Sequence, residues 1–193
     1  MLIVASHNAG KAAEVADLFA PWGFQFKTAA ELDLPVPDEN EPTFLGNASI
    51  KALAAATACG SPAVADDSGL VVPALGGDPG VRSRRWSPTG DYGEAMARVN
   101  AELGDRSRAA EMVCSLAIAW PDGEVHAFEG RVQGTLTWPP RGDLGFGYEP
   151  MFVPVGSSST YGEMVRAVKH EDDPRARAFA QLSANFLVPY SNR

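Results

Sequence analysis

The chain has 193 residues, of which 45% are hydrophobic, and a formal net charge of −8. This length suffices for one well-buried core, and the sequence contains no repeat or linker, so we expect a single domain over residues 1–193. The acidic balance disfavours nucleic-acid binding, which needs Lys and Arg to neutralise phosphates. No apolar stretch is long enough to cross a membrane, so we expect no membrane partner either.

The cysteines and histidines favour a reducing compartment. Cys59 and Cys114 lie far apart, and the three histidines are scattered, so neither a disulfide framework nor a zinc site is indicated. The N-terminal sequence MLIVASHNAGK lacks the basic region and the cleavage site of a signal peptide. We therefore expect a cytoplasmic protein.

The first third of the chain alternates strands and helices. LIVAS at residues 2–6 predicts a strand, and after the turn-prone SHNAG the spacing over residues 11–19 predicts a helix. FQFKTA at 24–29 is a candidate second strand. The Pro- and acid-rich segment 34–42 predicts a loop that leads into an Ala-rich helix over residues 43–58.

AVADDSGLV at residues 63–71 predicts two short strands separated by an acidic turn. Two carboxylates about 4 Å apart repel by roughly 4 kcal/mol at an effective dielectric constant near 20, so water or a cation must offset the charge of adjacent Asp66 and Asp67. Asp-Ser-Gly is also ordinary turn chemistry. The local sequence leaves a solvated turn and a metal site as alternatives.

The remaining elements indicate a mixed sheet. A loop rich in Gly, Pro and Arg over residues 74–90 precedes a predicted helix at 92–103. Alternating apolar residues over 112–120, a Pro-Asp-Gly turn and the segment EVHAFEGRVQGTLTW predict a long hairpin. The loop that contains GFGYEP and a helix over about 174–186 complete the chain. Helices combined with an antiparallel pair favour an α/β or α+β class.

Two segments could bind phosphate or metal. SHNAGK at residues 6–11 joins a strand to a helix N-terminus, which presents backbone N–H groups to an anion, although Asn8 could be only an N-cap and the Walker spacing is absent. Thr43, Asn47 and Lys51 recur every four residues on one helix face, just after the acidic loop. That loop offers carboxylates of the kind that bind Mg²⁺, but a solvent-facing stripe and a solvated loop are the alternatives.

Two later segments carry weaker signals. GFGYEP at 145–150 places aromatic rings between glycines, where a ring can stack on a base or can simply fill the core. KHEDDPRAR at 169–177 mixes acids and bases at the start of a helix, which is most often a charged surface.

Taken in order, several motifs resemble the inosine triphosphate pyrophosphatase family, which hydrolyses non-standard purine nucleoside triphosphates. They span residues 5 to about 180 and comprise SHNAGKAAE, E-x-x-x-TFLGNASIKA, ADDSGLVV, GGDPGVRSRRW, GFGYEPMF and K-x-x-x-x-x-R. The resemblance implies an elongated α/β fold, in which a two-lobed mixed β-sheet is flanked by helices around a central cleft, and a homodimer. It also implies Mg²⁺-dependent hydrolysis of ITP, dITP and XTP to the monophosphate and pyrophosphate.

The resemblance also implies roles for individual residues. Asp67 would activate water and bind the metal, and Glu39 would be a second metal ligand. We expect Asp66 to support them as a third residue of the metal site. The substrate would contact Ser6, His7, Asn8, Ala9, Gly10, Lys11, Lys51, Ser68, Phe146, Gly147, Tyr148, Glu149, Lys169 and Arg175. Of these, the first loop and the two lysines Lys11 and Lys51 would bind phosphates, and Arg175 would reach the base.

The sequence departs from the family pattern on the side of the nucleobase. Asp173-Pro174 replaces the usual Ser-His, Glu149 replaces an aspartate, and His7 stands where glycine is frequent. Pro174 has neither an imidazole nor a backbone N–H, so one donor to a 6-oxo purine is missing. We expect a pyrophosphatase with altered base selectivity. The alternatives are a nucleotide-binding protein with little turnover, or retained selectivity through Asp173, His170 or Arg177.

Overall fold

The computed structural model describes residues 1–187, in which six strands form one mixed sheet. The strand order is β2-β1-β3-β4-β5-β6. Strand β1 is parallel to β2 and to β3, whereas β6 is antiparallel to β5. The strands are β1 (Leu2–Val4), β2 (Phe26–Thr28), β3 (Ala63–Val71), β4 (Ala109–Ala119), β5 (Val125–Leu136) and β6 (Phe152–Pro154).

Four helices of residues 1–187 lie close to their predicted positions. They are α1 (Ala9–Phe19), α2 (Phe44–Cys59), α3 (Tyr92–Leu103) and α5 (Pro174–Leu182). The short α4 (Arg166–Lys169) was not predicted. The predicted last helix changes at Ser183 to a π-helical segment that runs to Leu187. The predicted hairpin is also present: β4 and β5 are neighbours in the sheet, and the Trp120 N–H donates to the Glu124 carbonyl across the turn at 2.9 Å.

The prediction of an acidic turn at residues 66–68 is wrong. Strand β3 runs without interruption from Ala63 to Val71, through both aspartates. Successive side chains of a strand point to opposite faces of the sheet, so Asp66 and Asp67 point away from each other and not towards one shared cation. The local sequence suggested a turn because Asp-Ser-Gly is turn chemistry, but the place of β3 within the sheet overrides that preference.

The chain divides into two compact units. The first contains residues 1–67, 114–130 and the last segment from Arg175, and the second contains residues 68–113 and 131–174. The single domain over residues 1–193 therefore remains a prediction. The α/β class with a mixed sheet flanked by helices is confirmed. No helix within residues 1–187 is long and apolar enough to cross a membrane.

The first unit has one core on each face of its strands. Leu2, Val4 and Val64 pack with apolar residues of α1 and α5, whereas the alternate residues Ile3 and Ala65 pack against α2. Strand β4 is apolar on both faces here, so it is buried almost continuously from Val113 to Ala119. Successive side chains of β3 point to alternate faces of the sheet, and this alternation decides which helix each of them contacts.

Small side chains bring α2 close to the sheet. Ala48, Ala52, Ala55 and Ala56 of the helix pack with the alanines at 63, 65, 117 and 119 of the strands. The predicted Ala-rich face is therefore a packing surface. It fixes the backbone of α2 and with it the point from which Lys51 extends.

The second unit is built around a separate core. Its largest buried members include Leu70, Trp86, Met151 and Phe152. The Tyr148 hydroxyl donates to the Ser83 carbonyl at 2.9 Å, and the Ser83 hydroxyl accepts from the Leu70 N–H at 2.9 Å. These bonds attach the GFGYEP loop to strand β3 within this unit.

Candidate active site

The loop between β1 and α1 presents a helix N-terminus. The Asn8 side chain caps α1 by accepting the Lys11 N–H at 3.1 Å, as the sequence predicted. Ser6 accepts the Asn8 N–H at 3.2 Å, and the His7 imidazole donates to the Leu34 carbonyl at 2.8 Å. The loop is therefore held from both sides while Asn8, Ala9 and Gly10 stay exposed. Its exposed N–H groups can receive an anion.

Asp66 belongs to a buried charge cluster on the α1 and α5 face of β3. Its carboxylate lies 3.2 Å from the Lys11 ammonium and accepts from the Arg175 guanidinium at 3.0 Å. Arg175 also donates to Glu14 of α1. Burial raises the pKa of Asp66, but Lys11 and Arg175 outweigh burial and hold that pKa well below its ordinary value. Asp66 therefore remains ionised and anchors Lys11.

Asp67 lies on the other face of β3, opposite α2. One carboxylate oxygen accepts from the Lys51 ammonium at 2.9 Å, and the same ammonium lies 3.3 Å from a Glu39 carboxylate oxygen. The second Asp67 oxygen, Oδ2, is buried and has no hydrogen-bond partner among residues 1–187. Burial raises the pKa of Asp67, and attraction to Lys51 offsets only part of that effect.

The buried Asn47 positions the acidic loop. Its side-chain oxygen accepts the Glu41 N–H at 3.0 Å, and its side-chain nitrogen donates to the Glu41 carbonyl at 3.3 Å. A Cβ at Gly46 would lie 2.6 Å from the Glu41 Cβ, so glycine is needed for this approach. The solvent-facing alternative for the helix stripe is therefore wrong at Asn47, which is 0% exposed. Because Glu41 is only two residues from Glu39, its contact with Asn47 places Glu39 beside Lys51.

The donor set fits a divalent cation that also binds phosphate. Glu39 and Asp67 converge on a single ammonium, so their oxygens can equally approach a metal ion, and the unpartnered Asp67 Oδ2 adds a lone pair. No group of three His, Cys, Asp or Glu within residues 1–187 could enclose a metal. Two carboxylates completed by water and substrate phosphates are the arrangement typical of Mg²⁺. Asp66, by contrast, is occupied by Lys11 and Arg175.

The second unit contains the remaining predicted residues. Lys169 donates to both carboxylate oxygens of Glu149, at 2.8 and 3.1 Å, and both residues are buried. Glu149 also accepts the Phe146 N–H at 3.2 Å. Gly145 has φ +79°, and a Cβ there would collide with the Glu149 carboxylate. The longer acid at position 149 thus closes the loop onto α4.

The aromatic residues of this loop have different environments. The Tyr148 ring is buried and meets Tyr92 edge-on at 5.6 Å, so it fills the core, whereas Phe146 and Gly147 are only half buried. Ser68 is half buried on β3, and His170 lies 3.8 Å from the Asp173 carboxylate. The predicted substrate contacts of Ser68, Phe146, Gly147, Tyr148, Glu149 and Lys169 stay predictions.

The structure brings six of the predicted residues together within the first unit. These are Lys11, Glu39, Lys51, Asp66, Asp67 and Arg175. Sequence reasoning gave no role to Glu14 and left Asn47 open, although the period of 3.6 already places Glu14 on the face of α1 that contains Lys11. That Arg175 reaches a base stays a prediction, since its guanidinium binds Glu14 and Asp66 here.

The fold and the charges define a class of protein first. Ligands of α/β sheets bind at the carboxyl ends of the parallel strands, and here that edge carries an open helix N-terminus, two lysines and a carboxylate pair. The class is therefore an α/β protein that binds phosphorylated ligands. More particularly, the chain belongs to the Ham1 family, whose model matches residues 2–185.

The relatives agree with this assignment. The chain is 56% identical over 191 residues to a dITP/XTP pyrophosphatase of Rhodospirillum centenum, covering 95% of this chain and 93% of that one. It is 54% identical to the enzyme of the same name from Gluconobacter oxydans, covering 92% of this chain and 86% of that one.

Solved structures are similar over nearly the whole chain. A Ham1 protein from Coxiella burnetii has a TM-score of 0.88 at 33% identity, covering 96% of this chain and 98% of that one. A nucleoside-triphosphatase, or dITP/XTP pyrophosphatase, from Mycobacterium abscessus has a TM-score of 0.74 at 38% identity, covering 94% and 96%. The predicted family is thus confirmed.

Proposed function

We propose that this chain is a Mg²⁺-dependent pyrophosphohydrolase that converts ITP, dITP and XTP to the monophosphate and pyrophosphate. The observation that carries the proposal is the buried Asp67 carboxylate, with an unpartnered oxygen, beside Glu39 and Lys51. It occurs in a chain 56% identical to an enzyme named dITP/XTP pyrophosphatase.

The phosphate chain binds at the start of α1. The N–H groups of the exposed residues 9 and 10 and the Lys11 ammonium supply donors and positive charge to phosphate oxygens. Asp66 binds the Lys11 ammonium, Arg175 binds Asp66, and Glu14 binds Arg175. The lysine therefore meets the substrate in a fixed position, which reduces the entropy that binding must remove.

Asp67 is the general base. Its pKa lies above the ordinary range because the carboxylate is buried, and a higher pKa makes a carboxylate a stronger acceptor for the proton of water. Water attacks the α-phosphorus, its proton passes to Asp67, and the bond from the α-phosphorus to the bridging oxygen breaks. Pyrophosphate leaves with its charge balanced by Lys11 and Lys51. Mg²⁺ held by Glu39 and Asp67 would polarise the phosphate oxygens.

The nucleobase side of the proposal rests on the family resemblance. Phe146 is the half-buried ring available for stacking, and the Glu149–Lys169 pair orders the loop that carries it. Asp173-Pro174 lacks the usual imidazole, so we propose altered selectivity among purines. His170, which faces Asp173 at 3.8 Å, is the nearest candidate for a replacement contact.

The remaining parts of the proposal concern the whole protein. We treat residues 1–193 as one pyrophosphatase domain that acts as a homodimer in the cytoplasm. The family match over residues 2–185 and the free Cys59 and Cys114 support this placement.

Pyrophosphate release tests the function. Purified protein with Mg²⁺ should release pyrophosphate from ITP, dITP and XTP faster than from ATP and GTP. Asp67→Asn should lower the rate by about 10²–10⁴-fold, because it removes the base and a metal ligand. Asp105→Asn, an exposed aspartate beyond the C-terminus of α3, is the matched control and should keep the wild-type rate.

Two outcomes would contradict the proposal in different ways. Release no faster than that of Asp67→Asn on every nucleotide would leave a nucleotide-binding protein with little turnover. Equal rates on all five nucleotides would retain the enzyme and its altered selectivity, but would overturn the preference for non-standard bases.

A further inference from the structure

The Lys51 ammonium lies between the two carboxylates that fit a metal ion. It is 2.9 Å from Asp67 and 3.3 Å from Glu39, and the Lys51 side chain is only 13% exposed. A lysine ammonium is charged at neutral pH, so it offsets part of the negative charge of Glu39 and Asp67 when no ligand is bound.

A divalent cation held by Glu39 and Asp67 would conflict with the positive charge of this ammonium. Each would place positive charge between Glu39 and Asp67, and Mg²⁺ requires its ligands at about 2.0–2.1 Å in near-octahedral geometry. The backbone of α2 is fixed by the alanines that pack against the sheet. The conflict must therefore be resolved by rotation of the flexible Lys51 side chain.

We propose that Lys51 competes with the divalent cation for Glu39 and Asp67, so that the metal binds tightly only when a triphosphate gives the ammonium another partner. Without the triphosphate, a departing ammonium would lose its partners in a largely buried position. With the triphosphate, it exchanges carboxylates for phosphate oxygens. Metal and nucleotide binding are then coupled, and by linkage each strengthens the other equally. This inference rests on the proposed function.

Lys11 provides a matched control on the opposite face of β3. Its ammonium lies 3.2 Å from Asp66 and carries the same formal charge as the Lys51 ammonium. Because Lys11 belongs to the phosphate loop, this charge is also near the proposed substrate site. If only the number of nearby positive charges mattered, both lysines would affect metal binding alike. If Lys51 competes directly, its removal alone should have a large effect.

Binding of Mn²⁺, followed by electron paramagnetic resonance, tests the competition. Without nucleotide, Lys51→Met should bind Mn²⁺ at least about 10-fold more tightly than wild type, whereas Lys11→Met should stay within about 3-fold of it. Adding Glu39→Gln to Lys51→Met should remove the gain. Lys51→Gln, which keeps a polar side chain, repeats the test, and circular dichroism checks that each variant is folded.

The outcomes separate this inference from the proposed function. Unchanged or weaker Mn²⁺ binding by folded Lys51→Met or Lys51→Gln, or an equal gain in Lys11→Met, overturns the competition and leaves the enzyme intact. A non-hydrolysable ITP analogue should restore tight binding to wild type, after subtraction of Mn²⁺ bound by the analogue alone. Wild type that binds no Mn²⁺ even then, and releases no pyrophosphate, overturns the metal site itself.

Discussion

Asp66 and Asp67 are adjacent in sequence but have opposite electrostatic environments. Asp66 pairs with Lys11 and Arg175, and its pKa is lowered, whereas burial dominates at Asp67 and raises its pKa. The reason is the two-residue period of β3, which directs one side chain towards α1 and α5 and the other towards α2. One aspartate therefore stabilises the fold, and the other is the proposed general base.

We expect substitutions of the two aspartates to change stability differently. Asp66→Asn should lower the free energy of unfolding by about 3–5 kcal/mol at pH 7, because it leaves the buried Arg175 and Lys11 without their carboxylate. Asp67→Asn should destabilise less, since burial already disfavours ionisation of Asp67 and the variant leaves Lys51 with Glu39 as a partner. Urea unfolding of the two variants and wild type measures the difference.

The directions of the two pKa shifts predict how the free energy of unfolding depends on pH. A lowered pKa in the folded state adds stability above the unfolded pKa of about 3.9, and this stability is lost as the pH falls towards the folded pKa. The difference in unfolding free energy between wild type and Asp66→Asn, measured as a gap at each pH, should therefore be largest at neutral pH and should shrink below about pH 3.9. The raised pKa of Asp67 has the opposite effect, so its contribution to the free energy of unfolding falls as the pH rises. A gap independent of pH would show that Asp66 acts through packing alone.

Helix α2 combines packing and positioning in one element. Its alanine face rests on the sheet, its N-cap Thr43 accepts the Gly46 N–H at 3.1 Å, and Asn47 holds the acidic loop by two hydrogen bonds. Lys51 follows Asn47 by about one turn. The helix thus fixes both the loop that carries Glu39 and the ammonium that contacts it.

Removal of the Asn47 side chain should weaken metal binding as well as folding. Asn47→Ala leaves the N–H and carbonyl of Glu41 unpaired, which should cost about 1–3 kcal/mol of unfolding free energy. Loss of the loop position should raise the Mg²⁺ concentration for half-maximal activity by about 10–100-fold, as is typical when residues that orient metal ligands are removed.

Ser49→Ala is the control in the same helix. Within residues 1–187 the Ser49 hydroxyl donates to the Leu45 carbonyl of α2 and not to the acidic loop, so this variant should leave the Mg²⁺ requirement unchanged. An unchanged Mg²⁺ requirement in Asn47→Ala, with stability alone reduced, would assign Asn47 a purely structural role.

At the scale of the whole molecule, apolar side chains remain uncovered in the second unit. Val155 is 76% exposed, and Trp138, Leu144, Val165 and Val168 are also exposed. Burial of such side chains against a second copy would remove apolar surface from water. We expect sedimentation equilibrium to give about twice the monomer mass of 20.4 kDa. The monomer mass at micromolar concentration would contradict the proposed homodimer.

The extent of sequence-based prediction differed among elements. The helices at 43–58 and 92–103 and the hairpin of β4 and β5 were predicted almost to the residue, because long periodic segments carry their own signal. The segment 63–71 was predicted wrongly, because Asp-Ser-Gly favours a turn locally and only pairing with neighbouring strands makes it a strand. Asn47 was left undecided, since burial cannot be read from a polar residue on a helix.

The sequence by itself determined the α/β class, the family and the set of charged residues, because periodicity and motif order are properties of the chain. Only the tertiary structure decided which charges meet. Arg175 reaches Asp66 and Glu14, which lie 109 and 161 residues away in sequence, and Lys51 bridges Glu39 and Asp67. These pairings depend on which helix covers each face of the sheet. The adjacent residues Asp66 and Asp67 therefore have different partners and different electrostatic environments.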